Sequence, residues 1–75
     1  MKLLSMYPHG DDYSISIYEM PDYRYRAVIR RVDGKKILTY DGRIYEEIRT
    51  IVYHGRTETL KEARNMIDGG AFEPL

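Results

Sequence analysis

The chain has 75 residues, which is enough for one small domain and leaves no room for a second hydrophobic core. Its 12 Lys and Arg residues are balanced by 12 Asp and Glu residues, so it lacks the basic excess that most nucleic-acid-binding domains carry. It has no cysteine, which excludes a disulfide framework and a thiolate metal site.

The first stretch, "MKLLSMYPHG", contains one lysine and a short apolar run. It has neither the apolar core nor the small-residue cleavage site of a signal peptide, and no stretch of the sequence is apolar enough to cross a membrane. We therefore expect a cytoplasmic protein without membrane contact. A strand at this end would be a short fifth strand, and residues 8–12, "PHGDD", predict the turn that follows it.

The next two segments alternate apolar and polar residues, as half-buried strands do. In residues 13–19, "YSISIYE", Ile15 and Ile17 fall on one side and Tyr18 falls on the other. Residues 23–32, "YRYRAVIRRV", alternate in the same way, and "MPD" between the two segments predicts a turn. Both segments are therefore predicted strands.

Two Asp-Gly pairs, at 33–34 and 41–42, each lie between β-rich runs, which is the strongest short-range signal of a hairpin. They predict two further strands, residues 35–40 and 43–53. Two-residue turns would place Ile29 opposite Leu38, Ala27 opposite Tyr40, Leu38 opposite Tyr45 and Lys36 opposite Glu47.

This pairing predicts which face of the sheet is the core, because side chains alternate between faces along each strand. The predicted core face is apolar and aromatic and carries Tyr23, Tyr25, Ala27, Ile29, Leu38, Tyr40 and Tyr45. The opposite face is mixed and carries Arg24, Arg26, Val28, Arg30, Ile37, Thr39, Ile44 and Glu46.

Residues 43–53 fit two interpretations. Ile44, Ile48, Ile51 and Val52 match a helical stripe, whereas the β-branched and tyrosine-rich composition favours a strand. The preceding hairpin turn decides for the strand. A bulge or break near residues 49–51 would explain why the alternation slips there.

The last predicted element is a helix over residues 60–68. Thr59 and Glu62 have the spacing of a capping box, and Gly69 marks the stop. The apolar residues of this helix, which should pack on the sheet, are Leu60, Ala63, Met66 and Ile67. The tail, residues 70–75, either lies against the domain through Phe72 or frays. The predicted fold class is α+β, an antiparallel meander of about four strands packed on one C-terminal helix.

Few residues of the sequence suit catalysis. His9 and His54 each lie beside a glycine in a predicted turn, without a second catalytic group at a defined spacing. His9 with Asp11 and Asp12 has the ligand types of a cation site, but such a cluster more often caps a turn. No nucleophile elbow or glycine-rich phosphate loop is present. We therefore expect no enzyme, no cofactor and no metal site.

A row of arginines on the second predicted strand is the main functional feature. These arginines share a face, and a surface that mixes arginine, tyrosine and isoleucine is typical of protein–protein contact sites. The neutral net charge also favours a protein partner. The predicted partner-binding residues are Arg24, Arg26, Arg30 and Tyr18 on the sheet, with Asp11 and Asp12 in the first turn.

Three alternatives stay open. A sheet with arginines on its exposed face and a helix behind is a known way to enter a DNA groove, so a nucleic-acid-binding module is the second hypothesis. The simplest alternative is a solvated face on which the arginines pair with nearby carboxylates. An exposed last strand would also allow two copies to pair as a homodimer.

The tyrosine-rich meander closed by the helix "TLKEARNMID" resembles small proteins of phages and mobile elements, among them anti-CRISPR inhibitors. This resemblance rests on size and architecture over most of the chain, without a diagnostic motif. It implies stoichiometric inhibition of a bacterial defence complex, with the acidic residues Asp11, Asp12, Glu19 and Asp22 as mimics of phosphate.

Two further resemblances imply nucleic-acid binding instead. Residues 55–67, "GRTETLKEARNMI", are similar to the G-x-T-x-x-E-A entry to the helix of HicB-type antitoxins, although Gly55 stands farther from Thr59 than in that pattern. Residues 24–67 resemble the arm-binding domain of tyrosine recombinases, which has three strands and a helix. That domain is usually more basic and carries an aromatic residue just before its helix, where Tyr53 is an approximate match.

Overall fold

The computed structural model describes residues 1–75 and has the predicted α+β architecture, an antiparallel four-stranded sheet with one C-terminal helix and a small second sheet. A 3₁₀ turn, Pro21–Tyr23, joins the second and third strands. The elements follow in the order β1 (Lys2–His9), β2 (Tyr13–Met20), β3 (Arg24–Arg31), β4 (Ile37–Thr39), β5 (Ile44–Tyr45), β6 (Ile48–Arg49), α1 (Arg56–Asp68) and β7 (Phe72–Pro74).

The larger sheet has the strand order β1-β2-β3-β6, and the smaller has the order β5-β4-β7. The expected short N-terminal strand is eight residues long and pairs with β2 from Lys2 to His9, with one register shift between Leu3 and Ser5. β2 and β3 pair without interruption from Tyr13–Arg31 to Met20–Arg24. These two strands form the centre of the fold, as their alternation predicts.

The predicted pairing across residues 33–34 is wrong. The turn itself forms, and the Gly34 N–H donates to the Arg31 carbonyl over 3.1 Å. The chain then leaves the sheet, and β6 takes the place beside β3, with Ile29 opposite Ile48. The predicted neighbours of Ile29 and Ala27 therefore lie elsewhere, and Tyr40, which was expected in the core, is 89% exposed.

The pairing across residues 41–42 forms, but its register differs from the prediction. Ile37 lies opposite Tyr45 and Leu38 opposite Ile44, because the Thr39 N–H donates to the Arg43 carbonyl and closes a three-residue loop. Lys36 does not pair with Glu47. Ile37 is consequently fully buried and Leu38 only partly, which exchanges their predicted roles.

The prediction of one strand over residues 43–53 is wrong, because the segment divides at residues 46–47 into β5 of the smaller sheet and β6 of the larger sheet. The irregularity predicted near residues 49–51 is present after β6. Val28 lies opposite Arg49, but the next bridge joins Tyr25 to Tyr53, so this side of the ladder has one extra residue. Thr50 fills the gap: its N–H donates to the Ala27 carbonyl, and its Oγ1 accepts the Ala27 N–H, each over 3.0 Å. A side chain thus replaces one main-chain acceptor of the ladder.

The helix begins earlier than predicted, and the capping box is wrong. Gly55 is the N-cap and α1 starts at Arg56, so Thr59 lies inside the first turn of the helix. Thr59 is fully buried, and its hydroxyl donates back to the Gly55 carbonyl over 2.7 Å. This bond to the carbonyl four residues earlier is the one that a buried threonine forms inside a helix, whereas a threonine at the N-cap would accept from a main-chain N–H. The predicted stop at Gly69 is confirmed.

The core lies between the larger sheet, α1 and β7. As predicted, Leu60, Ala63, Met66 and Ile67 of α1 pack against it, and so does Phe72 of the tail. The tail is ordered: β7 pairs with β4, and the Phe72 ring meets the Tyr13 ring edge to face at 5.6 Å. The buried hydrophobic cluster is Tyr13, Ile15, Ile17, Ala27, Ile29, Ile37, Ala63 and Phe72.

Candidate partner-binding face

The face of the larger sheet that points away from α1 is called the open face here. The helix packs on β2 and β3, and alternation along the strands sends every second side chain to the opposite side. Strand registers define its members: Leu3, Met6 and Pro8 of β1, Ser14, Ser16, Tyr18 and Met20 of β2, Arg24, Arg26, Val28 and Arg30 of β3, and Arg49 of β6.

The structure brings together four of the six predicted partner-binding residues. Tyr18 lies directly opposite Arg26, and Arg24 and Arg30 lie on the same strand as Arg26 and point to the same side. Arg26 and Arg30 are half-buried, and Arg24 is exposed. These residues form a continuous basic and aromatic surface along the middle of the open face.

The other two predicted residues stand apart. Asp11 and Asp12 are exposed in the turn between β1 and β2, at the end of the hairpin where Tyr13 pairs with Arg31. Arg24 lies at the opposite end, across from Met20. The acidic turn is therefore remote from Arg24 and Arg26, whereas Arg30, which lies opposite Ser14, is at the same end of the hairpin as the turn.

Glu47 neutralises part of the basic row. Its Oε1 accepts a hydrogen bond from Arg30 Nη2 over 2.9 Å, and its Oε2 accepts one from Arg49 Nε over 2.7 Å. The hydrogen bond from Arg49, and then that from Arg30, hold the pKa of the Glu47 carboxyl below its ordinary value of 4.5. Two arginines thus share one carboxylate, and this group of three side chains keeps a net positive charge.

Arg24 and Arg26 have no acidic partner. The five ion pairs of the structure involve other cations, and the Arg26 Nε is buried without a hydrogen-bond acceptor. A cavity of about 110 Å³ lies beside this group, lined by Tyr18, Arg26 and the paired Arg30, Glu47 and Arg49, among others. The unpaired guanidinium of Arg26 at this cavity favours an incoming carboxylate or phosphate, which arginine binds through parallel N–H donors.

An apolar strip borders the arginines. Leu3 and Met6 of β1 are 46% and 59% exposed, and Leu3 lies opposite Tyr18. Sequence reasoning missed these two residues, as well as Glu47 and Arg49, because the long first strand and the β3–β6 pairing were unknown. The spacing of Leu3 and Met6 does not by itself indicate a strand face, since the register shift lies between them.

Tyr23 is a further residue that sequence reasoning misplaced. It was expected on the core face but lies 86% exposed at the tip of the β2–β3 hairpin, next to Arg24. Its φ of 57° and the φ of 65° at Asp22 are both left-handed, which costs a side-chain-bearing residue about 1–3 kcal/mol. Positive φ at consecutive residues is the usual conformation of a tight hairpin turn, and it leaves the Tyr23 ring exposed beside Arg24.

The two histidines differ in their surroundings. His54 is exposed. His9 Nδ1 lies 2.8 Å from Arg64 Nη1, and His9 Nε2 lies 2.7 Å from Asp68 Oδ1. Because an arginine N–H can only donate, Nδ1 accepts and the Nε2–H donates to the carboxylate, as in a neutral imidazole. Both ring nitrogens are thus engaged in joining β1 to α1.

His9 therefore forms neither a cation site nor a turn cap with Asp11 and Asp12. Its partners come from the helix, and the structure contains no group of three or more His, Asp or Glu side chains placed to hold a metal ion. At 13 residues, α1 falls short of the length and apolarity that a membrane-crossing helix needs.

No family model matches the chain, and no similar curated protein or solved structure was found.

Proposed function

We propose that the chain is a non-enzymatic binding protein that contacts a protein partner through the open face. The observation that carries this proposal is the combination of unpaired Arg24 and Arg26 with the exposed apolar residues Leu3 and Met6 on one surface. Arginine and tyrosine beside apolar side chains are the residue types that contribute most energy at protein interfaces.

The charge of the open face favours a protein over a nucleic acid. Arg30 and Arg49 already share Glu47, so Arg24 and Arg26 are the two arginines of the open face left without a carboxylate. The chain as a whole is neutral, whereas a nucleic-acid surface must neutralise several phosphates at once. A protein partner that offers two or three carboxylates next to an apolar patch matches the open face in both charge and polarity.

The finer hypothesis is an inhibitor of a bacterial defence complex that occupies a surface of that complex stoichiometrically. It is supported by the resemblance in size and architecture to phage-encoded inhibitors. The free arginines of the open face would then bind acidic side chains of the complex.

The experiment is affinity capture from a lysate of the source organism with the tagged chain, compared with two variants of equal charge change. Arg24→Glu/Arg26→Glu reverses the free arginines, and Lys35→Glu/Lys61→Glu reverses two exposed cations that form no ion pair and lie outside the open face. We expect a partner in 1:1 or another fixed ratio that the first variant loses and the second keeps. Equal capture by all three proteins would contradict the proposal.

Nucleic-acid binding is the second candidate, favoured by the row of arginines on the open side of an antiparallel sheet with a helix behind it. It predicts DNA or RNA binding that weakens steeply with salt and is lost in Arg24→Ala/Arg26→Ala/Arg30→Ala. Mobility shifts at low salt decide between the candidates. A shift that the triple variant abolishes would replace the protein partner by a nucleic acid.

A further inference from the structure

β1 leaves one of its edges free. It is the outermost strand in the order β1-β2-β3-β6, and over its eight residues only the side toward β2 is paired. The other outer strands are much shorter: β5 and β6 have two residues each and β7 has three. β1 therefore presents the longest strand edge that another strand can extend.

The middle of the free edge lacks the charged side chains that commonly keep edge strands apart. Between Leu3 and Pro8 it carries no charged side chain, and Leu3 and Met6 are exposed. Pro8 cannot donate a hydrogen bond, and the register shift lies between Leu3 and Ser5. The regular part of the edge is therefore centred on Met6.

The two ends of β1 carry opposite charges. Lys2 begins the strand, and the exposed Asp11 and Asp12 follow its last residue in the turn to β2. When two copies pair antiparallel through β1, Lys2 of each copy comes next to the acidic turn of the other. Parallel pairing would instead bring like charges together, so the charges select the antiparallel arrangement.

The directions of the β1 side chains are compatible with a two-fold axis that relates two copies of the chain and passes between their Met6 residues. In that register Met6 meets Met6 of the second copy on the open face, and Ser5 meets Tyr7 on the helix face. Ser5 and Tyr7 line a cavity of about 330 Å³ with Arg56 and Leu60, among others. The Tyr7 ring of a second copy therefore has room beside Ser5.

We propose that two copies of this chain form a homodimer by antiparallel pairing of their β1 strands about Met6. The two larger sheets then join into one sheet of eight strands, and the two open faces lie side by side. Lys2 and the Asp11-Asp12 turn act as the electrostatic contacts at both ends of the paired strands. The dimer does not depend on the partner proposed above and is tested without it.

Sedimentation equilibrium of the whole chain tests the proposal through charge reversal. We expect reversible dimers with a dissociation constant below about 1 mM. Lys2→Glu alone, and Asp11→Lys/Asp12→Lys alone, should each raise that constant at least about tenfold, because symmetry repeats every altered contact. An equimolar mixture of the two variants should regain dimers, since only the mixed pair has opposite charges at both ends.

A single cysteine tests the register, because the chain has none of its own. Met6→Cys should give a covalent dimer under mild oxidation, whereas Val32→Cys, at an exposed position outside β1, should not. Circular dichroism confirms that each variant is folded. A chain that stays monomeric at about 1 mM would overturn the proposal. So would a dimer that neither charge variant weakens, or one that Val32→Cys links and Met6→Cys does not.

Discussion

Replacing Thr50 by valine should destabilise the protein through one main-chain group. Thr50 is 4% exposed, and its Oγ1 accepts the hydrogen bond of the Ala27 N–H, which lies in the centre of the core strand β3. Valine keeps the shape but removes the acceptor, so the Ala27 N–H is left buried without a partner. The Ile51 carbonyl also loses the Thr50 hydroxyl, but Ile51 is exposed and water can replace that bond.

The size of the effect follows from this single loss. A buried donor left unpaired costs about 1–3 kcal/mol. For a domain of this length the whole free energy of unfolding is about 4–11 kcal/mol, so the loss is a large fraction of it. The melting temperature should fall by about 4–8 °C for each kcal/mol lost.

Thr50→Ser is the matched control, because it keeps the hydroxyl and loses only a methyl group, which costs about 0.8 kcal/mol. The assay is urea unfolding of both variants together with hydrogen exchange of the Ala27 amide. We expect valine to lower both the stability and the protection of that amide, and serine to keep the protection. A valine variant as stable as the original chain would refute the reasoning, and so would equal loss of Ala27 protection in both variants.

Three other changes test separate parts of the account. Ile37→Ala should lower the free energy of unfolding in urea by about 2–5 kcal/mol and Leu38→Ala by clearly less, because Ile37 is the fully buried residue of β4. A larger loss in Leu38→Ala would instead support the register predicted from the sequence. Glu47→Gln should lower stability at pH 7 by about 0.2–1 kcal/mol. Because the pKa of Glu47 is depressed in the folded state, its ion pairs stabilise the protein above pH 4.5, and this stabilisation is lost as the pH falls further. A stability difference between the original chain and Glu47→Gln that grows toward acid pH would contradict these ion pairs. Tyr23→Asn should leave stability unchanged or raise it by up to about 1 kcal/mol, since asparagine tolerates a positive φ, yet it should weaken partner capture; a clear loss of stability would show that the ring packs.

Local sequence predicts the parts of this fold that are made locally. The alternation in residues 13–19 and 23–32 identifies β2 and β3, and the apolar stripe of the last helix identifies its packing face. These patterns arise because one face of each element is buried along its whole length.

The second sheet is not predictable in the same way. An Asp-Gly pair specifies a chain reversal but does not specify that the next residues pair with the preceding strand. Here β4 contributes three residues, too few to show a period, and the burial of Ile37 against the core decides its position. β6 reaches β3 through a connection of 16 residues, from 32 to 47, which no local pattern encodes.

The residues of the candidate site also divide into those that local sequence predicts and those that long-range strand pairing brings in. Arg24, Arg26, Arg30 and Tyr18 follow from alternation within two regular strands, and the structure places them together. Glu47 and Arg49 join them only through the long-range pairing of β6, and Leu3 joins them through the long first strand. The charge balance of the open face, which separates paired from unpaired arginines, therefore needed the tertiary structure.

Site-specific photo-crosslinking tests the central claim, that the open face contacts a partner, most directly. A photoreactive phenylalanine derivative replaces Tyr18 on the open face, where it keeps the aromatic ring and both free arginines, in one sample and Tyr40, in the exposed loop between β4 and β5, in another. After irradiation in lysate of the source organism, we expect the Tyr18 position to give one discrete crosslinked protein and the Tyr40 position to give none. Crosslinking of the same protein from Tyr40, with none from Tyr18, would contradict the account.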